Sequence, residues 1–280
     1  GGQHSVALPE ALADDAPWVV RRNARCPQRL VQRYSPPRGH VATLHDNFEA
    51  SALEFAERPF LGRRGLAKDG QGPGPFEWMT YGEAAALRTL LGSGLLTRGV
   101  PAKSHVGLFS TNCPEWMLAD LALHAYGMVA VPLYDTLGPD AVGYIARHAG
   151  LRAIFCSTAT LPTLIRSTGG GDGCPDLKLV IVYGTQGELP LGPPPPGAGF
   201  QIIHFNDLAD AGRAAPQPHC PPDAGDMFTI CYTSGTTGVP KGAMLTHRNV
   251  IANLAGTEHI LGITSEDVHI SYLPLAHIYE

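Results

Sequence analysis

The chain has 280 residues, with 20 basic and 25 acidic side chains and a formal net charge of −5. That length buries a sizeable core as one large or two modest domains. The slightly acidic balance excludes the strongly basic surface of a general nucleic-acid binder, and no run of about 18 apolar residues marks a transmembrane helix.

Residues 21–38 carry six arginines and no acid. Pro27, Pro36 and Pro37 break any amphipathic helix there, so the segment reads as a solvated arm, with contact to an anionic membrane as the other reading. Residues 1–45 read as an N-terminal extension of the main domain. From Ser104 the pattern alternates. Ser104 to Ser110 is a strand, and Pro114 to Tyr126 a helix whose first turn suits proline. Met128 to Leu133 is a strand, Pro139 to Ala149 a helix, Ala153 to Cys156 a strand, Leu161 to Arg166 a short helix and Leu177 to Tyr183 a Val/Ile-rich strand. Alternation of this kind predicts an α/β fold with a largely parallel sheet and helices on both faces. Gly169 to Gly173 and Pro193 to Pro196 read as surface loops, and Ala214 to Pro222 as a connector to the apolar run Met227 to Tyr232. The six cysteines form no C-x-x-C pair, which reads as reduced thiols in a cytosol-facing protein. Cys156, Cys231, Trp78 and Trp116 read as core residues.

The most informative segment is Tyr232-Thr-Ser-Gly-Thr-Thr-Gly-Val-Pro-Lys241-Gly-Ala-Met-Leu-Thr-His247. An apolar run feeds it, and a short apolar stretch and a helix starting near Thr246 follow it. Gly235 and Gly238 let backbone N–H groups approach phosphate oxygens that β-carbons would block. Thr233, Ser234, Thr236 and Thr237 add hydroxyl donors, and Lys241 adds a full positive charge. It is not a Walker A loop, because Pro240 precedes the lysine and Gly242, rather than Ser or Thr, follows it. The frame of the lysine therefore argues against a plain kinase or NTPase.

This string resembles the nucleotide-binding signature of the AMP-forming, adenylate-making ligases. Val131-Pro-Leu-Tyr-Asp-Thr-Leu-Gly138 with Tyr144-Ile145, Asn112-Cys-Pro-Glu-Trp116, Phe76-Glu-Trp-Met-Thr-Tyr81 and Ser271-Tyr-Leu-Pro-Leu-Ala-His-Ile-Tyr-Glu280 narrow the resemblance to the long-chain fatty acyl-CoA synthetases. The resemblance implies ATP-dependent conversion of a fatty acid to acyl-AMP, followed by thioester formation with coenzyme A. In that reading the loop residues from Thr233 to Gly238 and Lys241 hold the ATP phosphates. Thr233 supports Mg²⁺, and His277 borders the adenylate and the acyl carboxylate. A satisfied interior histidine is the other reading of His277. The family pattern continues with a second magnesium-ligating acid, a ribose-binding aspartate, a hinge and a small C-terminal domain carrying a catalytic lysine, none of which is found in this sequence. The resemblance therefore implies the N-terminal part of the adenylating domain over residues 46–280, truncated, with the C-terminal domain absent and little turnover by itself. It also implies an intracellular, cytosol-facing protein, with peripheral association at endoplasmic reticulum, peroxisome or plastid membranes left open. An AMP-forming ligase for another carboxylic acid and a non-catalytic binding protein on the same fold are the alternatives.

Overall fold

A computed structural model describes residues 5–7, 21–24, 31–66, 72–134, 140–169, 173–184, 191–233 and 239–278. Near the start, β1 (Ser5–Ala7) and β2 (Arg21–Asn23) pair as a small antiparallel ribbon. Thr43 then opens α1 (Leu44–Glu54) with a capping box: its hydroxyl accepts from the Asp46 N–H while the Asp46 carboxylate accepts from the Thr43 N–H. An antiparallel hairpin of β3 (Pro59–Leu66) and β4 (Pro73–Thr80) follows, and Thr80 and Glu83 form the same kind of box at the start of α2 (Tyr81–Thr97). Trp78 lies on this hairpin at 46% exposure, stacked beside Phe76, so the core assignment for Trp78 is corrected. Its indole covers Gly62, where a Cβ would fall 2.6 Å from the ring. A glycine facing an aromatic across a hairpin explains how so large a side chain stays on the surface.

The alternating pattern from Ser104 becomes β5 (His105–Phe109), α3 (Pro114–Ala125), β6 (Val129–Pro132), α4 (Ala141–His148), β7 (Ala153–Ser157), α5 (Leu161–Thr168) and β8 (Leu179–Tyr183). The chain continues through β9 (Gln201–His204), α6 (Phe205–Ala214), β10 (Met227–Thr233), β11 (Lys241–Thr246) and α7 (His247–Leu261). Among the described residues the central sheet has seven strands in the order β11-β10-β6-β5-β7-β8-β9, all parallel except β11, which runs antiparallel to β10. The largely parallel α/β reading holds.

Period-two alternation in the strands builds two cores. Along β7, Phe155 joins the core under α1, α2, α3 and α6 with Leu91, Leu95, Trp116, Tyr126 and Leu208. Ile154 and Cys156 face the other way, toward α4 and α5, with Ile145, Leu164 and Val182. Strands buried on both faces read as unbroken apolar runs, which is why β8 shows as Leu-Val-Ile-Val-Tyr. Cys231 is only half-buried.

The proline-rich connector of residues 214–222 is tied down. The Tyr126 hydroxyl donates to Gln217 O at 3.0 Å, the Gln217 N–H donates to Ser93 Oγ at 3.1 Å, and the Cys220 N–H donates to Ala125 O at 3.0 Å. The connector therefore brings β10 into the sheet beside β6 at a fixed height, with Thr229 opposite Ala130 and the Thr229 hydroxyl donating to Ala130 O at 2.9 Å.

Candidate active site

Ligands in open α/β sheets bind outside the carboxyl ends of the parallel strands, and the two flanks of the glycine-rich loop meet at that end. Thr233 is the last residue of β10 and Lys241 the first of β11, and they pair directly across the ladder with both side chains exposed. Ser234, Gly235, Thr236, Thr237 and Gly238, expected to hold phosphate, lie outside the described residues.

Two features fix the flanks. Gly242 pairs with Tyr232, and a Cβ there would fall 2.7 Å from Ile230 Cγ2 and 3.2 Å from the Tyr232 ring. The glycine after the lysine is thus required by packing beneath Tyr232. The Tyr232 hydroxyl in turn lies 2.6 Å from His148 Nδ1, at the end of α4, and Tyr144 stacks on the His148 ring. The start of the loop is therefore pinned to a helix on one face of the sheet. At the far end, Thr246 caps α7 through a box with Asn249.

The segment carrying His277 crosses the same end of the sheet. Residues 271–274 form no strand, and Pro274 O accepts from the His277 N–H at 2.8 Å in a turn. His277 is exposed, so the interior-histidine reading does not hold. What holds the segment in place is side-chain to backbone bonding. Asn112, between β5 and α3, accepts from the Leu275 N–H at 2.8 Å and donates to Leu273 O at 2.5 Å and Ser271 Oγ at 2.9 Å. The Tyr134 hydroxyl donates to Ala276 O. Burial pushes the Tyr134 phenol up to about 12. Thr229 pairs with Ala130, and Tyr134 lies two residues past the end of β6 while Thr233 ends the neighbouring β10. The residue before His277 is thus tethered beside the start of the loop. Asn112 and Tyr134 carry no role in the sequence reading. Their signal was faint: an asparagine just before a Pro-initiated helix, and a tyrosine just past a strand. Asp135 to Pro139 lie outside the described residues.

A second polar group lies between the helices. His45 and Glu49 of α1 and His219 of the connector offer three ligand atoms within 4.8 Å of one another. The Thr89 hydroxyl donates to Ala85 O, so the 2.9 Å contact between Thr89 Oγ1 and His219 Nε2 makes His219 the donor, leaving Nδ1 facing Glu49 at 3.8 Å. Buried Arg88 is already ion-paired with Glu49 and lies over Phe48. A further cation about 4 Å from that guanidinium would be repelled by roughly 4 kcal/mol at an effective dielectric of about 20. The group is therefore an internal polar network in which Arg88 is the cation. Burial, reinforced by Arg88, holds the His45 and His219 imidazoles below the usual range. Deeper in, burial lowers His124 strongly and His247 to about 4, and raises Asp120 to about 7.

A model of the AMP-binding enzyme family matches residues 48–280. The chain belongs to this family. It is 48% identical over 277 residues to long chain acyl-CoA synthetase 6, peroxisomal, of Arabidopsis thaliana, covering 99% of this chain and 38% of that protein. Synthetase 7, peroxisomal, of the same plant matches at the same identity and coverage. Long-chain-fatty-acid–CoA ligase 1 of Cavia porcellus is 38% identical over 246 residues, covering 86% of this chain and 34% of that protein. The chain thus spans under two-fifths of the length of these relatives. Among solved structures, the adenylation domain of a Mycobacterium chelonae carboxylate reductase superposes with a TM-score of 0.68 at 19% identity, covering 85% of this chain and 39% of that one. The A domain of a Segniliparus rugosus carboxylic acid reductase, in complex with AMP and a co-purified carboxylic acid, superposes with a TM-score of 0.67 at 20% identity, covering 85% and 42%. At those identities the likeness establishes the fold. Among the described residues no helix is long and apolar enough to cross a membrane.

Proposed function

We propose that residues 46–280 are the N-terminal part of the adenylating domain of a long-chain fatty acid–CoA ligase, preceded by an extension over residues 1–45. The whole protein makes acyl-AMP from a fatty acid and ATP, then passes the acyl group to coenzyme A. One observation carries this reading: Thr233 and Lys241, the two flanks of a hydroxyl- and glycine-rich loop, are paired at the carboxyl end of the sheet. The long-chain substrate class is supported by relatives at 48% and 38% identity whose names carry it.

A free carboxylate cannot acylate a thiol directly, because oxide is too poor a leaving group. Attack of the carboxylate on the α-phosphorus of ATP forms the mixed anhydride and expels pyrophosphate. Coenzyme A thiolate then attacks the acyl carbon, forms the thioester and expels AMP. Catalysis of such transfers rests on alignment and charge neutralisation. In this reading Lys241 offsets charge on the departing pyrophosphate. Backbone N–H groups at Gly235 and Gly238, with the Ser234, Thr236 and Thr237 hydroxyls, hold the phosphate oxygens, and His277 borders the acyl carboxylate. A hard cation with oxygen ligands suits Mg²⁺, which keeps several waters. The Thr233 hydroxyl, exposed at the strand end, would be one such oxygen ligand, and the ion would supply further neutralisation of the triphosphate. A peroxisomal setting follows the names of the two plant relatives, and peripheral membrane contact remains a reading of the arginine-rich arm.

A substrate panel tests the function. With the complete protein, ATP–pyrophosphate exchange driven by palmitate and not by benzoate or amino acids is the expected result. Exchange driven by an aromatic or amino acid alone assigns the chain to another ligase class, and no exchange with any acid contradicts the proposal.

A further inference from the structure

Asn112 bonds to three residues of one segment, Ser271, Leu273 and Leu275, and that segment leads to His277. We propose that Asn112 is a positioning residue of this site: it holds residues 271–275 across the carboxyl end of the sheet and thereby fixes where His277 stands. The inference rests on the adenylating function proposed above only for its activity readout.

The mount is rigid. Asn112 follows β5, the strand from which the chain first turns one way, to β6, and then crosses back to β7 on the other side. Such a reversal opens a crevice at the carboxyl ends of the strands. The turn holding Asn112 is secured on both sides. Ser110 Oγ lies 2.6 Å from the Tyr183 hydroxyl at the end of β8 and bonds to Thr111 O at 2.8 Å, and the Trp116 N–H donates to Cys113 O at 3.2 Å as α3 begins on Pro114. Trp116 is buried in the core.

The side chain uses both ends of its amide. Its oxygen accepts from the Leu275 N–H, and its NH₂ group donates to Leu273 O and Ser271 Oγ. A carboxamide is the shortest side chain offering an acceptor and two donors in one plane, so it can hold several groups of a segment that pairs with no strand. Farther back, the segment is also tied by the Arg58–Glu266 ion pair at 2.9 Å. From Leu261 to Leu273 its side chains are exposed, with Ile263, Val268, Ile270 and Tyr272 each more than 60% open. Ordered burial resumes only at Leu275 and Ala276, the residues that Asn112 and Tyr134 grip. In this proposal Asn112 acts through the backbone that leads to His277.

Two measurements test this. The first is hydrogen exchange at the Leu275 amide in the protein, which needs no activity. Asn112→Ala should speed exchange there by about 10-fold, the equivalent of one lost hydrogen bond of roughly 1.4 kcal/mol, with β5 and α3 unchanged. Asn112→Asp keeps the acceptor and should restore most of the protection. Unchanged exchange at Leu275 in Asn112→Ala overturns the proposal. The second is a double-mutant cycle in palmitate-driven pyrophosphate exchange by the complete protein. If Asn112 acts through His277, Asn112→Ala lowers kcat about 10-fold, yet costs less than 3-fold when His277→Ala is already present. Losses that multiply independently overturn it. Should the complete protein show no exchange activity, the functional reading fails while the Leu275 measurement still decides the positioning role.

Discussion

Two glycines in helices should respond oppositely to the same substitution. Gly212 in α6 faces α2 so closely that a Cβ would fall 1.9 Å from Leu90 O and 2.8 Å from the Gly94 nitrogen. Gly94 answers from the other side, where a Cβ would fall 2.2 Å from Leu208 O. Contacts below 3.0 Å are not tolerated, so α6 must retreat from α2 by about 1 Å. Both partners are backbone and cannot rotate away, and the movement opens the core around Leu91, Leu95 and Leu208, all fully buried. Overpacking costs roughly 1–3 kcal/mol, sometimes more, while alanine's helix propensity returns about 1 kcal/mol. With backbone on both sides, the upper part of that range applies, and Gly212→Ala should destabilise by roughly 2 kcal/mol net. At Gly256 in α7 a Cβ would meet nothing within 4 Å, so Gly256→Ala should stabilise by about 0.5–1 kcal/mol. Urea unfolding followed by far-ultraviolet circular dichroism measures both as midpoint shifts at constant slope. A Gly212→Ala protein as stable as Gly256→Ala would refute the close α2–α6 contact.

Further outcomes concern the loop and the buried polar groups. In the complete protein, Lys241→Ala and Thr236→Ala should each lower palmitate-driven pyrophosphate exchange by at least ~10-fold, since one charge-assisted contact is worth about 1.5–3 kcal/mol; unchanged rates would mean the loop does not hold phosphate. Acid should destabilise the fold. His247 falls from 6.5 to about 4 on folding, so the native state holds fewer protons than the unfolded chain in that window, and stability drops as pH falls from 6.5 toward 4, with His124 acting in the same direction. Asp120 opposes this: raised from 3.8 to about 7, it holds an extra proton in the native state and gains stability on acidification. Asp120→Asn should therefore steepen the acid-side loss, by up to about 1.4 kcal/mol per pH unit, as read from urea midpoints at pH 7 and pH 5. A shallower loss would contradict the buried, protonated state of Asp120.

The doubly buried parallel strands were legible because their burial leaves unbroken apolar runs such as Leu179 to Tyr183, and α3 because Pro114 marks its first turn. The β3–β4 hairpin was not, since Gly62, Gly65 and paired arginines interrupt any alternation and Trp78 lies on its surface. The helices α1 and α2 carry capping boxes at Thr43 and Thr80 that a search for S/T-x-x-D/E would have caught. At the site, Lys241 and the loop hydroxyls could be named as candidate phosphate donors from composition, because glycine, hydroxyl and lysine cluster there, whereas Thr233 as a metal ligand came only from the resemblance. Asn112 and Tyr134 could not, because their partners are backbone groups of Leu275 and Ala276, 163 and 142 positions along the chain. Nothing local to a sequence reports a contact of that span. The resemblance singles out His277, and its exposure depends on where that tether leaves it.

The most direct test of the central claim is the position of the ATP triphosphate. Crystals of the complete protein grown with a non-hydrolysable ATP analogue and Mg²⁺ should show the β- and γ-phosphates held between Thr233 and Lys241, at the carboxyl end of β10. A triphosphate bound elsewhere, with residues 233–241 making no contact to it, would contradict the assignment of this loop.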